Sequence, residues 1–265
     1  MSHAVPERDI KPFFDLISAA RTRVLLIDYD GTIAPFRTDR SRAIPYPGIR
    51  PLLDRINKYC KTRLIVLTGG SAVRIPSLLG LHPPPEIWGA CGLERLYPDG
   101  RYEGAEITDR DLDALAKAES LLNKEQLGQY VEIGPGGVAV HWRGLELEQI
   151  LEIRTKAYQI LNPLAAGNGL VIADFDGGVE LRVPSASAGD AIRSLLLETD
   201  ENSPVAYLGD DTPDEEAFRV LNNRGLTALV RPKYRFTAAE LWLRPPGELI
   251  GFLKSWISAC GGGAE

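Results

Sequence analysis

The stretch RVLLIDYDGTIAPF, residues 23–36, sets an apolar run directly before two acidic residues, Asp28 and Asp30. A short run of branched apolar residues that ends at a turn is typical of a strand in a parallel sheet covered on both faces. Two further runs, residues 63–68 and 204–209, have the same character and also end in small or acidic residues. Binding loops of such sheets lie at the carboxyl ends of the strands. The pattern therefore predicts an α/β fold with a site where these strands end.

The composition limits the classes of function. The chain has 265 residues, of which 44% are hydrophobic and 25% charged, and a formal net charge of -6. This balance provides no basic surface for nucleic acid or for an anionic membrane. The apolar runs are too short to span a bilayer, so we expect no membrane contact and a cytoplasmic location. We also expect a monomer or weak oligomer. Three cysteines without metal-type spacing predict free thiols.

The pattern changes along the chain and predicts two structural units. Residues 23–68 contain two strands around an amphipathic helix, which is a βαβ unit. From residue 106 a helix, an alternating hairpin, a second helix and a second hairpin follow in order. We therefore expect a Rossmann-like parallel-sheet core formed by residues 1–105 and 180–265, with an inserted α+β unit at residues 106–179.

Two groups of acidic residues follow predicted strands. Asp28 and Asp30 end the first, and GDDTPDEEAF supplies Asp210, Asp211 and Asp214 after another. Taken alone, Asp28 and Asp30 could be only turn and helix-cap residues, and the second acidic group is what favours a functional site. Two parallel strands side by side would bring the carboxylates together, where they repel one another unless a cation lies between them. Hard oxygen ligands favour Mg²⁺, so the sequence predicts a magnesium site suited to a substrate phosphate.

The same strand ends could perform phosphoryl transfer. The Asp28 carboxylate can attack phosphorus, while Asp30 protonates the leaving alcohol and later deprotonates water. Gly31 permits a tight turn whose N–H groups could meet the phosphoryl group. Thr68 and Gly69, in VLTGG, end a third strand and are candidate phosphate ligands, although a threonine there is more often a strand-end cap.

These motifs carry a family resemblance. DYDGT, VLTGGS and GDDTPDEEAF resemble three motifs of the haloacid dehalogenase-type phosphatases. LLIDYDGTIAPF, PYPG and GDDTPDEEAF resemble, more narrowly, the trehalose-6-phosphate phosphatases. The resemblance implies a magnesium-dependent phosphatase that forms an aspartyl-phosphate and carries an inserted cap. It implies that Asp28 is the nucleophile, Asp30 the acid/base and a backbone metal ligand, and Asp210 a metal ligand supported by Asp211 or Asp214.

The sequence departs from that family pattern at three positions. Ala188 stands where the third motif has a lysine that neutralises the phosphoryl group and the nucleophile. Gly70 stands where the second motif has an arginine, and Cys91 where a histidine is usual. Loss of a charge-assisted partner of the phosphoryl group reduces transition-state stabilisation. Magnesium, Arg182 or another cation would have to replace the missing charge.

The cap sequence provides the candidates for substrate binding. Glu132, Arg143 and Glu180 are the residues we expect to contact a phosphorylated sugar, by the resemblance. The leading substrate is trehalose-6-phosphate, and glucosylglycerol phosphate or mannosylglycerate phosphate are alternatives because the polar residues of the cap differ. A weakly active protein that binds a phospho-sugar for regulation is a further alternative, since Ala188 and Gly70 replace cations.

Overall fold

The computed structural model describes residues 9–37 and 40–261 and contains two sheets. The strands are β1 (Arg23–Asp28), β2 (Thr62–Leu67), β3 (Glu86–Gly89), β4 (Glu94–Leu96), β5 (Tyr102–Gly104), β6 (Val131–Gly134), β7 (Gly137–His141), β8 (Val171–Phe175), β9 (Gly178–Arg182), β10 (Val205–Gly209), β11 (Leu226–Val230) and β12 (Leu241–Leu243). The α-helices are α1 (Lys11–Ala19), α2 (Ile49–Tyr59), α3 (Ile75–Leu79), α4 (Asp109–Lys124), α5 (Leu147–Asn168), α6 (Ala188–Leu197), α7 (Asp214–Leu221) and α8 (Gly247–Ala259). Within the described residues, no helix has both the length and the apolar character needed to cross a membrane.

The larger sheet has the strand order β12-β11-β10-β1-β2-β3-β4-β5. The strands from β12 to β3 are parallel, and β4 and β5 extend the edge in antiparallel pairing. Strand β1 lies between β10 and β2, with Ile27 opposite Leu208 and Asp28 opposite Leu67. The carboxyl ends of these three strands are therefore adjacent, and the predicted α/β fold is confirmed.

Helices cover both faces of this sheet, which explains why β1 is apolar throughout. Leu25 and Ile27 pack into a cluster with α1, α2 and α8. Val24 and Leu26 point to the other face and pack with α6 and α7. Burying one leucine or isoleucine side chain stabilises a protein by about 1.5–3 kcal/mol. The two clusters together fix β1 and its terminal acids in the centre of the fold.

The smaller sheet is antiparallel, with the order β6-β7-β9-β8, and packs against α4 and α5 around a separate apolar cluster. It has the predicted sequence of helix, hairpin, helix and hairpin. Strand β9 stays paired with β7 as far as Arg182, past the predicted boundary at residue 180. Val179 and Leu181 are both buried, so the alternation of this strand continues across that point. We therefore place the return of the chain to the larger unit after Arg182.

Candidate active site

Three carboxylates meet where β1 and β10 end. Asp28 is the last residue of β1, Asp210 follows β10, and Asp214 begins α7. Each offers one carboxylate oxygen, and these three oxygens lie within 4.8 Å of one another. The parallel pairing of β1 with β10 is what brings the two predicted acidic groups together.

The acids of this cluster destabilise one another's charges. Burial, followed by repulsion from Asp214, Asp210 and Asp30, raises the pKa of Asp28 well above its usual value. Burial and the neighbouring acids also raise the pKa of Asp210 well above its usual value, and burial raises that of Asp214 to about 6. A cation between the carboxylates would remove this penalty. Hard oxygen ligands grouped in this way fit Mg²⁺.

Asp214 also organises the loop that carries Asp210. Its Oδ2 accepts hydrogen bonds from the backbone N–H of Asp210 at 2.8 Å and of Asp211 at 2.9 Å. Its Oδ1 accepts from the hydroxyl of Tyr207 on β10. A side chain at Gly209 would overlap the Asp214 carboxyl group. These contacts fix the direction in which the chain leaves β10.

Asp211, a predicted metal ligand, lies outside the three-acid cluster. Its two carboxylate oxygens accept from the Asp176 backbone N–H in the β8–β9 turn, each at 3.0 Å. The Arg143 Nη2 atom lies 3.7 Å from the same carboxylate. Asp176 in turn pairs with Arg231 at 3.0 Å. Asp211 thus joins the larger unit to the inserted one.

Gly31 gives the chain room to turn at the end of β1. Its φ angle is +95°, and a Cβ atom there would overlap the Asp210 carboxylate. Its N–H donates to the Ala34 carbonyl at 2.8 Å, and contact of the N–H groups of this turn with a phosphoryl group stays a prediction. Gly31 therefore allows Asp210 to approach the end of β1. The adjacent Thr32 donates through Oγ1 to Asp28 Oδ2 at 2.9 Å.

Asp30 lies beside Thr68 and beside Arg74, an arginine that the sequence reasoning missed. The Asp30 Oδ2 atom accepts from Arg74 Nη2 at 2.8 Å and from Thr68 Oγ1 at 3.4 Å. The side chain of Asp30 therefore faces these donors and is not part of the three-acid cluster, and the metal ligand predicted for this residue is its backbone carbonyl. Gly69 borders the open cavity, whereas Thr68 is fully buried behind it. No sign of this contact is present in the sequence, because Arg74 lies four residues after VLTGG and belongs to no motif.

A cavity of about 140 Å³ lies between the acids and the inserted unit. Asp28, Asp30 and Asp210 border it from the larger unit, and Glu132 and Glu180 border it from the smaller sheet. The geometry thus brings the predicted catalytic acids and two predicted substrate-binding residues to one cavity.

The two glutamates facing this cavity have opposite electrostatic environments. Burial raises the pKa of Glu180 to about 7, despite opposing effects of Arg182 and Arg40. Burial also acts on Glu132, but a hydrogen bond from His141 and the charge of Arg40 outweigh it and lower the pKa of Glu132. Arg40 Nη1 lies 3.0 Å from Glu132 Oε1. Arg40 is a second residue that the sequence reasoning missed, because no motif contains it.

Arg143 lies at the rim of the cavity, with its guanidinium already engaged. It donates from Nε to the Asp176 carbonyl at 2.9 Å and lies over the Phe36 ring, with the guanidinium carbon 3.6 Å from the ring centroid. With the nearby Asp211 carboxylate, these contacts tie Arg143 to the junction of the two units. A substrate would meet only part of this side chain.

The position of the missing motif-three lysine borders the same cavity. Ala188 is only 2% exposed and packs with the apolar residues of α6 and α7. Arg182 also borders the cavity, where it donates to the Ala186 carbonyl and lies 3.4 Å from Glu216. Cys91 is a third neighbour, and burial raises the pKa of its thiol, so it stays uncharged. Arg182 thus brings a cation to the cavity that Ala188 borders.

Sequence comparisons agree with this architecture. The profile of the family described as Trehalose-phosphatase matches residues 26–238. The trehalose-phosphate phosphatase of Mycobacterium marinum is 28% identical over 254 residues, which cover 89% of this chain and 63% of that protein. The bifunctional trehalose-6-phosphate synthase/phosphatase of Thermoproteus tenax is 29% identical over 217 residues, covering 80% and 29% respectively. The chain therefore spans less than two thirds of the length of these relatives.

Solved structures share the fold. The C-terminal domain of C. albicans trehalose-6-phosphate phosphatase aligns with a TM-score of 0.81 at 18% identity, covering 98% of this chain and 99% of that one. A haloacid dehalogenase-like hydrolase from B. subtilis aligns with a TM-score of 0.59 at 17% identity, covering 88% and 99%. This likeness confirms the haloacid dehalogenase-type fold with an inserted cap. Because the family profile covers well over half of the sequence, the protein belongs to the trehalose-phosphatase family.

Proposed function

We propose that the protein is a magnesium-dependent phosphatase that hydrolyses a sugar phosphate through an aspartyl-phosphate intermediate. The observation that carries this proposal is the group of Asp28, Asp210 and Asp214 beside a cavity that the inserted unit also borders. A buried group of like charges is expensive unless it serves a cation and a reaction. Family membership supports the same chemistry.

The reaction has two steps that use the acids of the larger unit. In the first, an Asp28 oxygen forms a bond to phosphorus, the bond from phosphorus to the sugar oxygen breaks, and Asp30 gives that oxygen a proton. In the second step, Asp30 takes a proton from water while the water oxygen attacks phosphorus. The bond from phosphorus to Asp28 breaks, which frees Asp28 and releases inorganic phosphate. The cap excludes bulk water during the first step.

Asp28 and Asp210, with Asp214 in support and the Asp30 backbone carbonyl as a further ligand, would hold Mg²⁺. When bound, the ion would supply positive charge that lets Asp28 ionise and that stabilises the charge on the transferred phosphoryl group. Arg182 adds positive charge on the side where Ala188 lacks it.

We propose trehalose-6-phosphate as the substrate, because the family and the named relatives support it. Glu132 and Glu180 project from the smaller sheet into the cavity and would accept or donate hydrogen bonds to sugar hydroxyls. Glucosylglycerol phosphate and mannosylglycerate phosphate are the alternatives to be tested in the same assay. A phospho-sugar-binding regulatory role is the second candidate, and the small buried side chain of Ala188 is the observation that favours it.

The test is phosphate release by the purified protein, with Mg²⁺ and with a chelator, from these three sugar phosphates, sucrose phosphate and an aryl phosphate. Asp28→Asn is expected to reduce turnover more than ~10³-fold, because it removes the nucleophile. Asp99→Asn is the matched control, since Asp99 pairs only with solvent-exposed Arg101 in the contacts described. Circular dichroism checks that both variants fold.

The outcomes separate the two candidate functions. Magnesium-dependent release from one sugar phosphate supports the phosphatase and identifies its substrate. Full activity in Asp28→Asn would refute the proposed mechanism. Binding of a sugar phosphate without release, together with turnover in Ala188→Lys, would support the regulatory role.

A further inference from the structure

Arg74 lies behind the acid that moves the proton. It ends the short turn of residues 72–74 that follows β2, and α3 begins directly after it. Its Nη2 atom is 2.8 Å from Asp30 Oδ2 and 3.4 Å from Thr68 Oγ1. The side chains of Arg74 and Asp30 are only 23% and 14% exposed. A charge-assisted hydrogen bond in such a setting is stronger than one at the protein surface.

The two oxygens of Asp30 have different surroundings. Oδ2 accepts from both Arg74 and Thr68. Oδ1 is buried and has no hydrogen-bond partner among the described residues. Buried polar atoms without partners are rare in folded proteins and often mark a reactive group. The arrangement fixes the carboxylate through one oxygen and leaves the other available for a reactant.

The shortest link between Arg74 and the site is its hydrogen bond to Asp30. Asp30 borders the cavity, and Arg74 is not among the described residues that do. The Nε and Nη1 atoms of Arg74 are buried and have no hydrogen-bond partner among the residues that the structure describes. Two buried, unsatisfied donor atoms on one side chain are costly, so a purely structural purpose explains them poorly. The contact that compensates this cost is the one with Asp30.

Gly70 provides the room for this contact. A Cβ atom on Gly70 would lie 3.1 Å from Arg74 Nη2 and 3.5 Å from its guanidinium carbon, so a side chain there would press on the guanidinium and shift it by a few tenths of an ångström. The Gly70 N–H donates to Thr68 Oγ1 at 3.1 Å, which orients the hydroxyl toward Asp30. Gly70, Thr68 and Arg74 therefore act as one support for the Asp30 carboxylate.

We propose that Arg74 is a positioning residue, which holds Asp30 so that Oδ1 gives a proton to the leaving sugar oxygen and then accepts one from the attacking water. This inference rests on the proposed phosphatase function. It adds a residue outside the recognised motifs to that reaction.

The two steps respond differently to a displaced Asp30, and this difference provides the test. A sugar alkoxide is a poor leaving group and needs the proton in the first step. A nitrophenolate leaves without protonation, so the first step with p-nitrophenyl phosphate does not need Asp30. Hydrolysis of the aspartyl-phosphate needs Asp30 as a base whichever ester formed it.

Arg74→Ala is therefore expected to lower kcat for the sugar phosphate by ~10²-fold, a typical contribution of general acid–base catalysis, with KM changed less than ~3-fold. With p-nitrophenyl phosphate, rapid mixing is expected to show a burst of nitrophenol with a rate constant within ~3-fold of that of the wild type, followed by a slower steady state. Arg74→Lys should retain more of the steady-state rate, and added guanidinium should partly restore Arg74→Ala. Arg101→Ala, which removes an exposed arginine paired with Asp99, is the control and should behave as wild type.

Several results would overturn the inference. An unchanged kcat in Arg74→Ala, a rise in KM alone, or an equal loss of the burst and the steady state would each show that Arg74 does not act through Asp30. If Arg74→Ala does not fold, the same comparison is made with Arg74→Lys and Arg74→Gln. Failure of the proposed function would appear in the wild-type protein, as no phosphate release from any ester, and would remove the basis of this inference as well.

Discussion

Replacing Glu180 with glutamine is expected to stabilise the protein at neutral and alkaline pH. Glu180 faces the cavity from β9, and burial raises its pKa from the ordinary value of 4.5 to about 7. Each pKa unit corresponds to about 1.4 kcal/mol of difference between the two protonation states. The ionised side chain therefore costs roughly 3 kcal/mol of folding free energy above pH 7.

Because the pKa of Glu180 is higher in the folded than in the unfolded protein, the stability of the wild type falls as the pH rises. Below about pH 4.5 the carboxyl group is protonated in both the folded and unfolded states, so it imposes no cost. As the pH rises from 4.5 to about 7, the unfolded chain loses the proton first, and the stability of the wild type falls. Above about pH 7 the cost is complete and constant. Glutamine never ionises, so its advantage should grow through this window.

The assay is urea unfolding of the wild type and Glu180→Gln between pH 5 and pH 8, with a chelator present. We expect a gain that is small at pH 5 and reaches about 1–3 kcal/mol at pH 8, the lower figure allowing for the amide's own unmet hydrogen bonds. Glu132→Gln is the matched control, because His141 and Arg40 hold the pKa of Glu132 low and its replacement should destabilise at neutral pH. A gain from Glu180→Gln that does not change with pH would refute the reasoning.

Two further predictions test the geometry of the acids. Gly31→Ala should destabilise the protein by at least ~1–2 kcal/mol, because alanine is strained at a positive φ and would overlap the Asp210 carboxylate. Gly69→Ala, with open space around its Cβ position, should change the free energy of unfolding by less than ~0.5 kcal/mol in the same urea experiment. Asp210→Asn should raise the Mg²⁺ concentration needed for half-maximal activity by ~10-fold or more, whereas Asp211→Asn should leave it unchanged. Equal effects of the two asparagine variants would contradict the assignment of Asp211 to the junction with the inserted unit.

The central part of the fold could be predicted from the sequence because its signals are local and repeated. Branched apolar runs that end in acids or small residues are explained by strands covered on both faces. Parallel pairing then places the ends of neighbouring strands at one edge, which brings Asp28 and Asp210 together. Strands β4 and β5 were not predicted, since three residues are too few to show alternation.

Side-chain directions in the loops could not be predicted in the same way. Asp210 and Asp211 are adjacent, yet one carboxylate faces Asp28 and the other accepts from Asp176. The direction of each carboxylate depends on the loop conformation, which Asp214 fixes by accepting hydrogen bonds from two backbone N–H groups. These are tertiary contacts, and no sequence pattern indicates them. The acceptor of the Gly31 N–H, the Ala34 carbonyl, likewise follows from the closed turn and not from a sequence pattern.

The cations of the site explain why motif comparison alone gave an incomplete account. A nucleophile or a metal ligand on a short side chain must be set by the backbone, so these acids remain at strand ends. An arginine has a long side chain, and its charge can reach the same place from several positions in the sequence. Arg74 and Arg182 illustrate this freedom, since they bring charge next to Asp30 and Ala188 from outside the two motif positions that lack a cation. The absence of a basic residue from a motif is therefore weaker evidence against catalysis than the absence of an acid would be.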